Sequence, residues 1–410
     1  MGKGFYKMED RDSFIDYLKE IPNFLSIFIF PVYFMTIGPM LLDMSKSTGI
    51  SSADLSLIFT FFTVGSILGQ LTSVFYNRKF KKIIVILAGY LSIIPFLIFL
   101  SFIRNLFLFY LFYFFIGYLA GVIWLQATEY ILENKIKNKD RLTTIFLSFY
   151  PIGNIAAPLI ASALIKNNLN WRYSYYIILS LVIIIFILYL TLKLRRTVKI
   201  AIEEEEEIIN FKKIFFDRRI NIIFILGCLL LLLYCVSETV IATWSPTFFR
   251  SERMFDIQIA SLAVSIFWIA IFAGRMIISF IAGRLKSNVI ILFISLLALV
   301  SMFFLIIVKP KYAILTFMAL AGLGCSGIIT LGIASTSTVY EKGRGVLASV
   351  VYATINIGVS AAPFLTRFAS RYNMTFSIII APIFMLLTSV IIIVKIIYEN
   401  MATNKIKFNN

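Results

Sequence analysis

Apolar stretches of about 20 residues, separated by short polar breaks, follow one another along nearly the whole chain. A helix needs about 20 mostly apolar residues to cross the roughly 30 Å hydrocarbon core of a bilayer. Backbone groups in lipid must bond internally, and these stretches lack the alternating pattern of barrel strands, so helices are the expected structure. With 60% hydrophobic and 14% charged residues, the sequence predicts an all-α membrane protein.

Twelve transmembrane helices are predicted, as six, a polar linker and six more. They are 22–42, 53–76, 83–103, 106–131, 142–165, 174–193, 220–248, 257–282, 288–308, 311–338, 345–366 and 374–397. The predicted domains are therefore an N-terminal six-helix bundle (1–194), a charged linker (195–219) and a C-terminal six-helix bundle (220–410). The glutamate run Glu203 to Glu207 in the linker is typical of a solvated segment.

The net charge of +17 comes from Lys and Arg in the loops, where basic residues act as topology signals. Most lie on the side of both termini and the linker, and the spans contain one, Arg275. We therefore expect a multi-pass plasma-membrane protein, in bacterial terms of the inner membrane, with both termini in the cytoplasm. Nucleic-acid binding is not expected, and residues 1–21 do not resemble a cleaved signal peptide.

An internal repeat at an offset of 205 residues relates the two halves. Gly69 corresponds to Gly274, Gly117 to Gly322, and the segment 153–158 to 358–363 without a gap. Six spans per half leave both halves in the same orientation, which indicates parallel repeats related by an axis along the membrane normal. Small residues at these positions let helices approach closely.

Two six-helix halves with a charged central linker resemble the major facilitator superfamily, and the likeness covers the whole chain. The loop after the second helix matches the superfamily's signature only in part. Asn77 stands in place of an acid, Arg78 follows it, and Phe80 stands in place of a glycine. The segment 170–173, Asn-Trp-Arg-Tyr, resembles another recurrent feature of the superfamily. The resemblance implies two pseudo-symmetric bundles, alternating access and a central site, with Asn77 and Arg78 as gating candidates.

Within the superfamily, four segments are similar to the fucose–galactose–glucose proton symporter family. They are 234–238 (Tyr-Cys-Val-Ser-Glu), 244–248 (Trp-Ser-Pro-Thr-Phe) and the two Gly-Arg pairs at 274–275 and 283–284. Sugar symporters of that family carry a carboxylate in the first and the fourth helix. Here the first span has none before Asp43, so proton-driven sugar uptake is not carried over directly.

Glu238 is the first candidate for a substrate or proton site. It is expected in the outer half of the seventh span, and the repeat pairs it with Tyr33 in the first span. An ionisable group in the hydrocarbon region usually faces a bundle interior or a water-filled cavity, where a carboxylate can bind a solute or exchange a proton. The alternative is a fixed charge bonded to a neighbouring helix.

Arg275 in the eighth span corresponds to Gln70 in the second, which argues against a purely architectural role. Helix rise places it about 15 Å in depth from Glu238, so direct pairing of the two is not expected. Glu129 lies at a depth similar to that of Arg275, and the two are predicted to form an inner gate link. The alternative for Glu129 is a helix-end residue in the headgroup region.

Neutral polar and aromatic side chains complete the predicted site. Gln126, Asn154 and Asn356 lie near mid-depth, and each could bind a solute or bond across helices. Trp244, like Trp124, Trp268 and Tyr33, could stack on a sugar ring.

Enzyme chemistry and cofactors are not expected. The chain has no histidine, its three cysteines lie in apolar runs, and no phosphate loop or nucleophile elbow occurs. The predicted function is secondary active transport of a small polar solute such as a sugar, proton-coupled, by a monomeric symporter. The alternatives are a proton-driven exporter of amphipathic compounds and a non-transporting receptor or lipid-handling protein of the same fold.

Overall fold

The computed structural model describes residues 18–77, 80–132, 139–192, 218–281, 285–337 and 344–408, which are mainly helical. In chain order the helices are α1 (Ile21–Met35), α2 (Ile37–Thr48), α3 (Ser52–Leu55), α4 (Leu57–Asn77), α5 (Lys82–Leu100), α6 (Leu106–Leu132), α7 (Lys139–Lys166), α8 (Tyr173–Leu192), α9 (Arg218–Glu252), α10 (Ile257–Ile281), α11 (Ser287–Ile307), α12 (Lys311–Cys325), α13 (Ile328–Ser337), α14 (Arg344–Tyr372) and α15 (Met374–Phe408).

These helices coincide with the predicted spans. Eleven helical stretches of the described chain are long and apolar enough to cross a membrane, and the predicted span 345–366 is the helix α14. Several helices continue past their predicted ends: α2 to Thr48, α9 to Glu252, α14 to Tyr372 and α15 to Phe408. The prediction of an all-α membrane protein is confirmed.

Large apolar side chains point outward from several helices. Phe75 on α4, Phe107 on α6, Phe293 on α11 and Phe303 on α11 are each more than half exposed. Apolar surface of this extent is unfavourable in water. Contact with lipid chains removes that cost, which agrees with the apolar composition of the spans.

The first predicted span is divided into α1 and α2 at Thr36. Pro39 has no N–H with which to bond the carbonyl of Met35, so the helical hydrogen-bond pattern is interrupted there. The hydroxyl of Thr36 also donates to the carbonyl of Val32 at 3.1 Å, a bond that bends helices. The sequence predicted one helix across this point and missed the interruption.

The chain forms two compact units. The first takes the described residues of 1–48 and 61–201, and the second takes those of 49–60 and 202–410. The predicted linker 195–219 lies almost entirely outside the described residues, and the predicted domain limits remain a prediction.

The repeated glycines occupy equivalent contacts within their own units. A Cβ added to Gly117 would lie 2.0 Å from the carbonyl oxygen of Phe62, and one added to Gly322 would lie 2.3 Å from that of Phe267. Phe62 and Phe267 are themselves separated by the offset of the repeat. Each pair brings two helices so close that a side chain at the glycine would not fit, which explains why the register is kept.

In the first unit, Arg172 bonds the end of α5. Its guanidinium donates to the carbonyls of Ser101 at 2.8 Å and Ile103 at 2.7 Å and stacks on Trp171, with 4.5 Å to the ring centroid. The indole N–H of Trp171 donates to the hydroxyl of Ser47 at 2.6 Å. The segment 170–173 therefore ties together the ends of three helices: α2, α5 and α8.

Replacing Arg172 by glutamine is expected to destabilise the protein by about 2 kcal/mol, because two charge-assisted hydrogen bonds to backbone carbonyls are lost. The measurement is the thermal unfolding midpoint in detergent. Arg104→Gln is the matched control, since Arg104 lies in the loop whose carbonyls Arg172 bonds, is exposed and repels Arg172 electrostatically. Equal midpoints for the two variants would contradict this role of Arg172.

Candidate functional site

The tenth predicted span, 311–338, is interrupted inside the second unit. Its first helix, α12, ends at Cys325, and α13 begins at Ile328, with a turn at Ser326 and Gly327 between them. The Ser326 hydroxyl donates to the carbonyl of Leu323 at 2.7 Å, which competes with continuation of the helix. Because the last carbonyls of a helix lack partners within it, the break presents acceptors inside the span.

Side chains from two neighbouring helices bond these acceptors. The phenol oxygen of Tyr234 on α9 lies 2.8 Å from the carbonyl oxygen of Cys325. On α10, the Nε of Arg275 donates to the carbonyl of Ser326 at 3.2 Å. A Cβ added to the adjacent Gly274 would lie 2.3 Å from the Ser326 hydroxyl, so this glycine makes room for the break.

Glu238 lies one turn after Tyr234 on α9. Its Oε1 atom is 2.9 Å from the phenol oxygen of Tyr234, and its side chain is buried, with 7% exposed. Its placement in the outer half of the span stays a prediction. Because the helix continues to Glu252, Glu238 lies near its middle, where a charged group is most costly in lipid.

The charge of Arg275 stabilises the carboxylate form of Glu238 electrostatically. The structure records no direct ion pair between the two, among the residues it describes. Sequence spacing placed them about 15 Å apart in depth. They interact because both lie beside the break in the tenth span: Glu238 contacts Tyr234, which contacts the Cys325 carbonyl, and Arg275 contacts the Ser326 carbonyl. An acid, a phenol and a guanidinium therefore meet at one interrupted helix.

Two further buried polar groups lie on α9. The indole Nε1 of Trp244 and the hydroxyl of Ser245 have no hydrogen-bond partner among the described residues. An unpaired buried donor costs about 1–3 kcal/mol. A bound solute or a water molecule would offset this cost, which keeps Trp244 among the candidate binding residues.

The first unit has its own group of this kind. Tyr33 is 2% exposed, its ring centroid is 6.4 Å from that of Phe62, and its hydroxyl has no partner within the described segments. Asn154 donates to the carbonyl of Tyr150 at 3.2 Å, while its Oδ1 atom lacks a described partner. The ring of Trp124 packs against that of Tyr150 at 5.4 Å.

Gln126 and Asn356 are placed differently. The amide nitrogen of Gln126 donates to the Ser73 hydroxyl at 2.7 Å and to the Ser73 carbonyl at 3.4 Å, which links α6 to α4. This is the cross-helix bond that stood as the alternative to solute binding. Asn356 is half-buried on α14.

The predicted gating residues lie partly outside the described chain. Glu129 pairs with Lys82 at 3.2 Å within the first unit, so α6 and the start of α5 share an ion pair. Asn77 ends α4, and its side chain lies outside the described residues, as does Arg78. A link between Glu129 and Arg275 would join the two units and remains a prediction.

Two buried polar residues were not predicted to have the contacts that they make. Tyr234 was noted as part of a motif but not as a partner of Glu238, because a tyrosine in an apolar run is ordinary. Lys395 is a second basic residue inside a span, whereas only Arg275 was expected there. Its side chain is 1% exposed, donates to the Ser335 hydroxyl at 3.0 Å and lies 4.0 Å from Glu399. Because Lys395 lies near the end of an apolar run, it was not counted as a residue inside the span.

A groove of about 410 Å³ lies elsewhere in the first unit, between α4, α5 and α6. Its lining is mainly aromatic and aliphatic, with Phe96, Phe114 and Leu119 among the residues. None of the predicted site residues lines it. We therefore place the candidate site at the interrupted span and its neighbours.

The sequence profile of the Major Facilitator Superfamily matches residues 24–312 of this chain. The chain belongs to the Major Facilitator Superfamily. The resemblance to this superfamily that the repeat, the linker and the partly matching loop signature indicated is thereby confirmed. Members of this superfamily are secondary transporters built from two repeated halves.

Individual members show how far this likeness extends. The chain is 26% identical over 291 residues to the protein TsgA homolog of Buchnera aphidicola subsp. Baizongia pistaciae (strain Bp), a match covering 68% of this chain and 70% of that protein. It is 21% identical over 354 residues to the glucose/mannose transporter GlcP of Bacillus subtilis (strain 168), covering 85% and 86%.

Among solved structures, a D-xylose-proton symporter superposes on 92% of this chain and 97% of its own, with a TM-score of 0.74 and 12% identity. At this identity the likeness shows the fold alone. The Major Facilitator Superfamily fold of the chain is thus supported by its sequence profile and by its structure.

Proposed function

We propose that this chain is a proton-coupled symporter that carries a small polar solute of the sugar class across the plasma membrane. Membership in the superfamily establishes secondary transport as its class of activity. The observation that carries the finer proposal is the buried carboxylate of Glu238, bonded to Tyr234 at the interrupted tenth span. A carboxylate held in a transport protein's interior can gain and lose a proton during each cycle.

The solute class rests on chemistry and on one relative. Trp244 and Tyr33 combine an apolar ring with an unpaired polar atom, which suits a sugar, since a sugar ring has apolar faces and hydroxyl edges. The Bacillus relative is a glucose/mannose transporter by name. We therefore propose hexoses as the first solutes to test.

The orientation and the coupling are part of the same proposal. Both termini are placed in the cytoplasm because most Lys and Arg lie in loops that are predicted on the same side of the membrane as the termini. Coupling is assigned to Glu238 because the first span, up to Asp43, contains no carboxylate. The protein is proposed to act as a monomer, with protons and lipid as its other partners.

The test is uptake by proteoliposomes that contain the purified protein. Radiolabelled glucose, mannose, a nucleoside and the amphipathic cation tetraphenylphosphonium are supplied outside, with the medium more acidic than the lumen. We expect one or both hexoses to accumulate above their external concentration, and a protonophore to abolish the accumulation.

The other outcomes decide against the proposal. Extrusion of tetraphenylphosphonium without hexose uptake would identify an exporter of amphipathic compounds. Hexose binding by the detergent-solubilised protein, without flux in vesicles, would identify a receptor of the same fold. Hexose equilibration that never exceeds the external concentration would exclude proton coupling and retain facilitated transport.

A further inference from the structure

Tyr234 contacts two acceptors with one hydroxyl group. Its phenol oxygen is 2.9 Å from the Glu238 carboxyl and 2.8 Å from the Cys325 carbonyl. A phenol carries a single hydrogen, while its oxygen can also accept a bond. If Glu238 is ionised, one of these two contacts brings oxygen atoms together without a hydrogen between them.

Both contacts become hydrogen bonds when Glu238 is protonated. The carboxyl O–H then donates to the phenol oxygen, and the phenol O–H donates to the carbonyl of Cys325. Both distances lie in the normal range for O–H···O bonds. The geometry therefore fits a neutral Glu238, and it gives the Cys325 carbonyl a donor.

Ionisation of Glu238 changes the donor arrangement at the break. When the carboxyl proton leaves to water, its O–H bond breaks and the carboxylate keeps the electron pair. The phenol O–H rotates from the Cys325 carbonyl to the carboxylate, because a charged acceptor forms the stronger bond. The carbonyl at the end of α12 is then left without that donor.

Ionisation of Glu238 also withdraws the hydrogen-bond donor that Arg275 supplies to the break. In the structure its guanidinium donates to the carbonyl of Ser326, and its charge favours an ionised Glu238. Once the carboxylate forms, the guanidinium is drawn towards it and away from Ser326. The carbonyls of Cys325 and Ser326, which are consecutive in the chain, lose donors together.

Few other titratable groups act on Glu238. Among the described residues they are Tyr234 and Cys235 on its own helix, Arg275 on α10 and Cys325 on α12. The buried Lys395 on α15 interacts instead with Glu399 and Cys228. Arg275 is thus the cation that acts on Glu238 among the residues that the structure describes.

We propose that Tyr234 is a positioning residue that transmits the protonation state of Glu238 to the break in the tenth span. The inference rests on the proposed function, and it names how a proton at α9 alters the junction between α12 and α13. Protonation supplies donors to the junction, and ionisation withdraws them. The proton cycle is thereby linked to the geometry of one helix that must bend.

Infrared difference spectroscopy tests the protonation state without any transport assay. We expect the wild-type protein near neutral pH to show a carboxylic acid C=O band that disappears in Glu238→Gln. In Tyr234→Phe the band should shift to higher frequency, because the acid loses the oxygen to which it donates. An ionised Glu238 in the wild type, or a band unmoved by Tyr234→Phe, would overturn the proposal.

Vesicle assays test the transmission. Tyr234→Phe should retain hexose exchange but lower proton-driven accumulation by about tenfold, as expected when a conformational coupling of one to two kcal/mol is lost. Its exchange rate should also lose the pH dependence of the wild type. Tyr189→Phe is the matched control: Tyr189 is a buried tyrosine of the first unit, bonded to Asn23 at 2.7 Å, so its loss should affect stability but not the pH profile.

The double variant Tyr234→Phe/Glu238→Gln should exchange hexose at the rate of Glu238→Gln alone, since the two groups act as one unit. A further loss of exchange in the double variant would contradict the proposal. A wild type that moves no hexose would refute the proposed function, whereas the infrared result would still decide the role of Tyr234.

Discussion

Glu238→Gln is expected to abolish proton-driven accumulation of hexose while leaving exchange of hexose across the membrane. Glutamine keeps the size and, through its amide N–H, a donor to the phenol oxygen of Tyr234, but it cannot bind or release a proton at any accessible pH. Binding and rearrangement of the unit can therefore continue, and the energetic link to the proton gradient is lost. The measurement is the ratio of internal to external hexose at an imposed pH gradient.

Glu252→Gln is the matched control, because Glu252 ends the same helix α9 and is exposed. It should accumulate hexose as the wild type does. Glu238→Asp should keep part of the accumulation, since an acid remains but its shorter side chain weakens the contact with Tyr234. If Glu238→Gln accumulated hexose with the pH dependence of the wild type, the assignment of the proton site would be wrong.

Gly69→Ala is expected to be as damaging as Gly117→Ala, since both glycines of the first unit would place a Cβ 2.0 Å from a carbonyl oxygen. The added Cβ would lie 2.0 Å from the carbonyl oxygen of Tyr118, and neither backbone can yield without separating α4 from α6. Overpacking of this kind costs about 1–3 kcal/mol or more. We expect poor recovery of folded protein and a thermal midpoint lowered by several degrees, measured in detergent.

Leu68→Ala controls for the change of sequence in α4, since the neighbouring Leu68 side chain is 42% exposed and its loss should be tolerated. Gly274→Ala tests the equivalent position in the second unit, where the added Cβ would meet the side chain of Ser326. That variant should lose transport in addition to stability, because Ser326 forms the break. A fully stable Gly69→Ala protein would contradict the close approach of the two helices.

The spans and the repeat could be predicted from the sequence because both depend on simple physical requirements. A bilayer requires long apolar runs. Helices that pack closely require glycine at fixed positions, such as Gly117 and Gly322. Glu238 and Arg275 were identifiable for a related reason, since a charged residue inside an apolar run is costly and needs a role.

The break in the tenth span could not be predicted in the same way. No proline marks it, and Ser326 followed by Gly327 is an unremarkable pair of small residues in a chain with 20 glycines. The role of Tyr234 was hidden because the chain has 20 Tyr and 41 Phe. Its importance comes from α12, which is distant in sequence and close only after folding.

The proposed gate shows a further limit of sequence reasoning. Glu129 was paired with Arg275 by depth alone, yet within its own unit it forms an ion pair with Lys82. Depth along a helix does not determine the direction in which a side chain points. The predicted link between Glu129 and Arg275 is tested by the transport rates of Glu129→Gln and Arg275→Gln.

The most direct test of proton-coupled hexose transport is proton movement driven by the solute. Proteoliposomes are placed in a weakly buffered medium with a pH-sensitive dye, and glucose or mannose is added outside without an imposed gradient. The external medium should become more alkaline as protons enter with the sugar, and Glu238→Gln should abolish this response while Glu252→Gln keeps it. Entry of sugar with no change of external pH would contradict the account.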